Sequence, residues 1–184
     1  MTVEQEAPCC DDQIRLYMVS VDHCIYIWTT KNGTSIVAIH VDDMLGCMSS
    51  KREMRQLKRD LESVFEIKDM GKAHWLLGVS ILHNRISRMI SLSQTSYVDA
   101  MVKCYRMQDA FLVHTPLEPG AHLSKSMNPT TQEERNDMAK KPYQMIIGSL
   151  IYAVITTWPD ISFSVQQLSQ HMSNPGKQQW EAAK

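Results

Sequence analysis

Apolar and polar positions follow two periods along this chain, and the shorter one comes first. Short runs rich in Ile and Val occupy residues 24–28 ("CIYIW") and 36–41 ("IVAIHV"). Runs of that length and composition predict buried strands rather than helix. Between them, "KNGT" (31–34) predicts a tight reversal through Asn32 and Gly33, since both residue types accept the positive φ that hairpin turns need. The second run reaches Asp42 and Asp43 and resumes with Met44 and Leu45. A second reversal is therefore expected there. Residues 24–28 and 36–48 should form one antiparallel unit, with two carboxylates at its exposed tip.

Helical spacing takes over at Ser49 and Ser50, either of which can cap "KREMRQLKRDLESVF". Met54, Leu57, Leu61, Val64 and Phe65 make its apolar stripe. Strands are expected again over 66–92, in "EIKDMG", "HWLLGVSILH" and "RMISLSQ". Beyond them the pattern is helical. "QTSYVDAMVKCYRM" carries Tyr97, Val98, Met101, Val102 and Tyr105 on one side. "YQMIIGSLIYAVI" carries Tyr143, Ile146, Ile147, Leu150, Ile151 and Val154. A further helix opens with Pro159 in its first turn and presents Ile161, Val165, Leu168 and Met172. The last is expected to start at Asn174 as cap, with Pro175 in first position. Residues 115–130, rich in Pro and Ser, read as a loop. Strands first and helices after predict an α+β fold. Its parts would be a strand-rich stretch over 1–92 and a helical one over 93–184.

Composition narrows the class. The chain has 184 residues, 43% hydrophobic and 21% charged, enough for one or two small domains with a core. No apolar run nears the roughly 20 residues of a membrane span, and the opening "MTVEQEAPCCDDQ" lacks the pattern of a secretory signal. Five cysteines (9, 10, 24, 47 and 104) contain no C-x-x-C pair. That argues against a disulfide framework or a structural zinc and fits an intracellular location, cytoplasmic or nuclear. Net charge is −1, yet residues 1–50 hold seven acids against two bases, leaving the remainder four positive charges in surplus. Such a split suits a metal site beside a polyanion track.

Adjacent carboxylates repel, so a fold separates them or supplies a cation. A surface turn is the other reading, because Asp is common in turns. Local sequence leaves both open for Asp42 and Asp43.

The wider pattern carries a family resemblance. "DHCIYIW" followed by "IVAIHVDDML" resembles the stretch around the Tyr-Val-Asp-Asp motif of reverse transcriptases from copia-type LTR retrotransposons. "FEIKDMGKAHWLLGVSI", "ISLSQTSYVDAMVKCYRM", "TPLEPG", "YQMIIGSLIYAVITTWPDISFSVQQLSQHM" and "NPGKQQWEAAK" continue it in the family's order, covering residues 22 to 184. The resemblance implies a partial palm over 1–92 and a thumb-like helical region over 93–184. It makes Asp42 and Asp43 the catalytic residues and the ligands of Mg²⁺, with Mn²⁺ as a possible substitute. In such sites two ions, roughly 3.5–4 Å apart, activate the primer 3′-hydroxyl and stabilise the leaving pyrophosphate. Leu77 and Gly78 match the primer-grip hairpin, although the residues alone fit a strand bulge equally well. His40 stands where the family has Tyr beside the primer end, and Trp158 where it usually has Arg. RNA template and DNA primer are the implied partners.

Two parts of the family pattern are not expected here. Palm domains take a third carboxylate from an upstream strand, and Asp11, Asp12 and Asp22 lack its context. The RNase H domain that follows the thumb is also expected to be missing. The resemblance thus implies a polymerase fragment that needs upstream palm and fingers segments and is inactive alone. The alternatives are a non-catalytic remnant binding nucleic acid or a partner protein, or an unrelated metal-dependent enzyme. The latter would recruit further ligands such as His23 or His40, for which no spacing argues.

Overall fold

The computed structural model describes residues 17–31, 33–110, 113, 115–117, 120 and 122–184. Cys9, Cys10, Asp11, Asp12, Asn32 and parts of the 115–130 loop lie outside the described residues. The fold is α+β, and the chain divides between Ala73 and His74 into two compact units.

The first unit holds β1 (Tyr17–Met18), β2 (Ile25–Thr30), β3 (Gly33–His40), β4 (Asp43–Met48) and α1 (Lys51–Val64). Its strands form one antiparallel sheet in chain order. Thr30 pairs with Gly33, so Gly33 already belongs to β3 rather than to the reversal that the sequence predicts through it. Side chains alternate as a half-covered sheet demands: Ser35 and Val37 are buried while Ile36 between them is exposed. Val37 joins Trp28 and Leu57 in the core, with Tyr26, Ile39, Met48 and Leu61 against them. The predicted α1 stripe therefore holds only as far as Leu61. Val64 and Phe65 are exposed and lie outside that cluster.

Ser50, rather than Ser49, caps α1, its hydroxyl accepting from the Glu53 N–H at 3.4 Å. Glu53 then reaches the sheet. Its carboxylate accepts from the Thr30 hydroxyl at 2.9 Å and from the buried Ser35 hydroxyl at 3.3 Å. "EIKDMG" forms no strand, contrary to the pattern reading. Asp69 instead accepts from Lys58 Nζ at 2.7 Å and from the Gly71 N–H at 2.8 Å, which ties the segment back to α1 as a turn. Those contacts hold the Asp69 carboxyl below its usual range, the Lys58 contact most of all.

The second unit contains β5 (Trp75–Leu76), β6 (Val79–Asn84) and β7 (Met89–Ser93), a three-stranded antiparallel sheet. Among the described residues it is accompanied by α2 (Thr95–Cys104), α3 (Gln132–Ala139), α4 (Tyr143–Thr156), α5 (Ser162–Ser169) and α6 (Lys177–Ala183). Tyr143, Ile147 and Leu168 form the core, with Leu150, Ile151, Met172 and Trp180 around them. The Tyr143 hydroxyl donates to the Leu168 carbonyl at 2.8 Å, joining α4 to α5. Pro159 sits in a 3₁₀ turn (Pro159–Ile161) that leads into α5.

Periodicity missed α3, since "QEERNDMA" buries only Met138. Its signal was local. Thr131 and Glu134 form a capping box, the Thr131 hydroxyl accepting from the Glu134 N–H at 3.2 Å and Glu134 accepting from the Thr131 N–H at 3.1 Å. The start of α6 also differs from the prediction, with Gly176 as cap in place of Asn174. Fully buried Gln179 explains the shift: it accepts from the Gly176 N–H at 2.8 Å and donates to the Ser124 carbonyl at 3.0 Å. A Cβ at Gly176 would run into the Met127 carbonyl oxygen, so only Gly permits this approach.

Candidate functional site

The predicted site residues fall on two hairpin tips, one in each unit. At the first, His40 pairs with Asp43, leaving Val41 and Asp42 as a two-residue loop between β3 and β4. Such loops twist with the strands only when the first loop residue has positive φ. Val41 takes that role at φ +53°. A β-branched side chain is disfavoured there, which stores about 1–3 kcal/mol of strain at the tip. Val41, Asp42 and Asp43 are all exposed.

Register settles how the groups are arranged. His40 and Asp43 are directly opposed and share the sheet face of Ala38 and Leu45. That face is the one turned away from Val37 and α1. Asp42 stands next to them in the turn. Two adjacent carboxylates offer only oxygen donors, the set preferred by hard divalent cations such as Mg²⁺ or Mn²⁺. Among the described residues, no three His, Cys, Asp or Glu side chains converge on a common point. His23 and His40 therefore do not complete a three-ligand group with the aspartates. Asp22 has a local task, accepting from the Cys24 N–H at 2.9 Å in the β1–β2 connection.

The second tip is a hairpin, which excludes the strand bulge. Leu76 pairs with Val79, and Leu77 and Gly78 form the loop at φ +49° and +77°. Two positive φ values in succession define a type I′ geometry, for which Gly at the second position carries no steric cost. The tip rests on α4. Tyr152 donates its hydroxyl to the Leu77 carbonyl, and the phenol lies 3.5 Å from where a Gly78 Cβ would stand.

Sequence reasoning missed three residues that tie elements of each unit together, of which Tyr152 alone touches one of these tips. Glu53 was hidden on the charged side of α1. Tyr152 lies off the predicted α4 stripe. Gln94 looked like an ordinary polar residue before α2, yet it is buried. Among the described residues, no helix is long and apolar enough to cross a membrane. Cys24, Cys47 and Cys104 are free and exposed.

The family model for reverse transcriptase (RNA-dependent DNA polymerase) matches residues 7–119. Over 164 residues the chain is 42% identical to the retrovirus-related Pol polyprotein from transposon TNT 1-94 of Nicotiana tabacum, covering 89% of this chain and 12% of that polyprotein. A transposon Ty5-1 protein of Saccharomyces cerevisiae is 31% identical over 163 residues, covering 89% of this chain and 51% of its own length. The Pol polyprotein from transposon RE1 of Arabidopsis thaliana is 30% identical over 165 residues, covering 86% of this chain and 10% of that polyprotein. No solved structure matches the chain. The chain belongs to the reverse transcriptases of copia-type retrotransposons. It spans a small part of the Pol polyproteins and about half of the yeast protein.

Proposed function

We propose that this chain is the segment of an RNA-directed DNA polymerase that carries Asp42 and Asp43 as its catalytic pair. The observation that carries the reading is the two-residue reversal at Val41 and Asp42, which presents both carboxylates at an exposed tip. Asp42 and Asp43 would hold Mg²⁺, or Mn²⁺ in its place. Bound there, divalent cations supply the charge that activates a primer hydroxyl and stabilises a leaving pyrophosphate. The protein's own contribution is positioning. Glu53 ties α1 to β2 and β3 at the end of the sheet opposite the aspartates, which fixes the sheet that carries the hairpin. His40, opposite Asp43, lies beside the primer terminus in this reading. The backbone at Leu77 and Gly78 carries the primer strand, with Tyr152 bracing it.

In this assignment residues 1–92 contribute to the palm and 93–184 form a thumb-like region. The partners are an RNA template, a DNA primer, the upstream palm and fingers portions and the downstream RNase H portion of a polyprotein, met in the cytoplasm or nucleus. Alone, the chain should not polymerise. Two-metal phosphoryl transfer asks for a third carboxylate, which the family resemblance places on an upstream palm strand. Losing one such preorganised charged group costs on the order of 10² to 10³ in rate.

Primer extension on an RNA template with Mg²⁺ or Mn²⁺ tests both parts. The isolated chain should give no product. The same chain joined to an upstream polymerase segment from a homologous Pol polyprotein should extend the primer and lose extension in Asp42→Asn. Extension that survives Asp42→Asn would remove the aspartates from catalysis.

A further inference from the structure

A cavity of about 220 Å³ opens in the second unit where the start of α2 meets the end of α4. Leu92, Gln94, Thr95, Asp99, Thr157 and Trp158 contribute to its wall. Gln94 is 2% exposed and does not cap α2 with its side chain. Its amide oxygen instead accepts from the Thr157 hydroxyl at 2.7 Å, across 63 positions of sequence. The amide nitrogen of the same side chain has no hydrogen-bond partner. An unpaired buried donor is costly and uncommon in native proteins. Gln94 belongs to the wall of a cavity whose lining also includes the exposed Trp158.

We infer that this cavity is a pocket for a single unpaired nucleobase, with the base laid on Trp158 and its edge shared between Gln94 and Asp99. The chemistry of the wall selects this occupant. A helix start with Ser and Thr hydroxyls would suit a phosphate, but the Asp99 carboxylate in the same wall repels an anion. What fits is a flat, uncharged group carrying an acceptor next to a donor. The acceptor meets the free Gln94 N–H, the donor meets Asp99, and the ring face meets the indole. All four RNA bases carry such an adjacent pair on the Watson–Crick edge. The pocket should therefore tolerate any base, as stacking platforms for single strands do. That the bases belong to a template or primer rests on the polymerase reading, whereas the pocket itself does not.

The test is a nitrogen–proton NMR titration of the full chain, following the Gln94 side-chain amide and the Trp158 indole N–H. Cytidine and uridine should each shift both signals saturably. Ribose 5-phosphate and N-methylacetamide should shift neither. Gln94→Leu, which keeps bulk but cannot donate, should weaken nucleoside binding about five- to tenfold. Trp158→Ala should weaken it about tenfold or more. Because Gln94 is buried, Asp99→Asn at an exposed position serves as a second variant and should also alter affinity. No shift with either nucleoside, equal shifts with ribose 5-phosphate or N-methylacetamide, or nucleoside affinity unchanged in all three variants would overturn the pocket. Free nucleosides probe it without template, primer or metal, so a failure of primer extension and a failure here are distinguishable.

Discussion

Tyr152 on α4 donates its hydroxyl to the carbonyl of Leu77, at the tip of a hairpin 75 positions earlier in the chain. The same phenol ring stands edge-on to Tyr97 of α2, with centroids 4.9 Å apart. One side chain thus locks the β5–β6 turn to two helices. Tyr152→Phe keeps the ring contact and removes only the hydrogen bond. It should cost about 1 kcal/mol. Amide hydrogen exchange should quicken at residues 77–79 and stay unchanged in α1. Unchanged exchange at the tip would show that the ring alone holds it.

Val41 should respond in the opposite sense. Replacing it by Gly removes the steric penalty of φ +53°, against an entropic cost of roughly 0.5–1 kcal/mol for the more flexible residue. Val41→Gly is expected to stabilise the first unit by up to about 1 kcal/mol, and Val41→Ile to leave it unchanged or weaker. A thermal unfolding series on the three chains measures the order. A glycine variant less stable than the parent would show that the tip is not strained.

Burial raises the Tyr143 hydroxyl to about 12 from its ordinary value of 10. The folded state therefore favours the neutral phenol. Its contribution is complete below pH 10 and is lost as pH rises through 10 to about 12. The difference corresponds to about 2–3 kcal/mol. Alkaline titration should loosen the α4–α5 contact in that window, seen as loss of near-ultraviolet circular dichroism. Tyr143→Phe should start less stable, without the bond to Leu168, and show a weaker pH dependence.

Gly176→Ala should be the most damaging small substitution in the helical unit. The added methyl meets the Met127 carbonyl, a backbone atom that cannot turn aside. Displacing Gly176 also breaks its bond to buried Gln179. A loss of about 2–4 kcal/mol is expected from combined overpacking and an unsatisfied buried amide. Chemical denaturation gives the number. A loss below about 0.5 kcal/mol would mean that the short 3₁₀ turn holding Met127 (Lys125–Met127) yields freely.

Much of this was readable in advance because burial imposes a period. Val37 and Trp28 mark the covered face of their strands, and Tyr143, Ile147 and Leu168 mark the helical core. The aspartate hairpin followed from the apolar runs on either side of it. What escaped the reading lacked a period. The α3 helix rests on the Thr131–Glu134 capping box and buries one residue. "EIKDMG" has two apolar residues, Ile67 and Met70, but no partner strand, and Asp69 turns it toward Lys58. Gln94 and Thr157 meet only through tertiary folding, so nothing local announces their bond.

The loop between β3 and β4 contains two residues, and side chains on a strand change face at every step. The facing of Asp43 is thus counted out from buried Val37, as marks are counted along a ruler. A one-residue insertion between Val37 and His40 would leave the motif's letters intact and turn Asp43 toward the α1 side, unless the register slipped to absorb it. Frame-preserving length changes in this stretch should therefore be as damaging as replacing an aspartate, even though they delete no carboxylate. Spacing, in this segment, sets the facing of Asp43 as firmly as the residues themselves do.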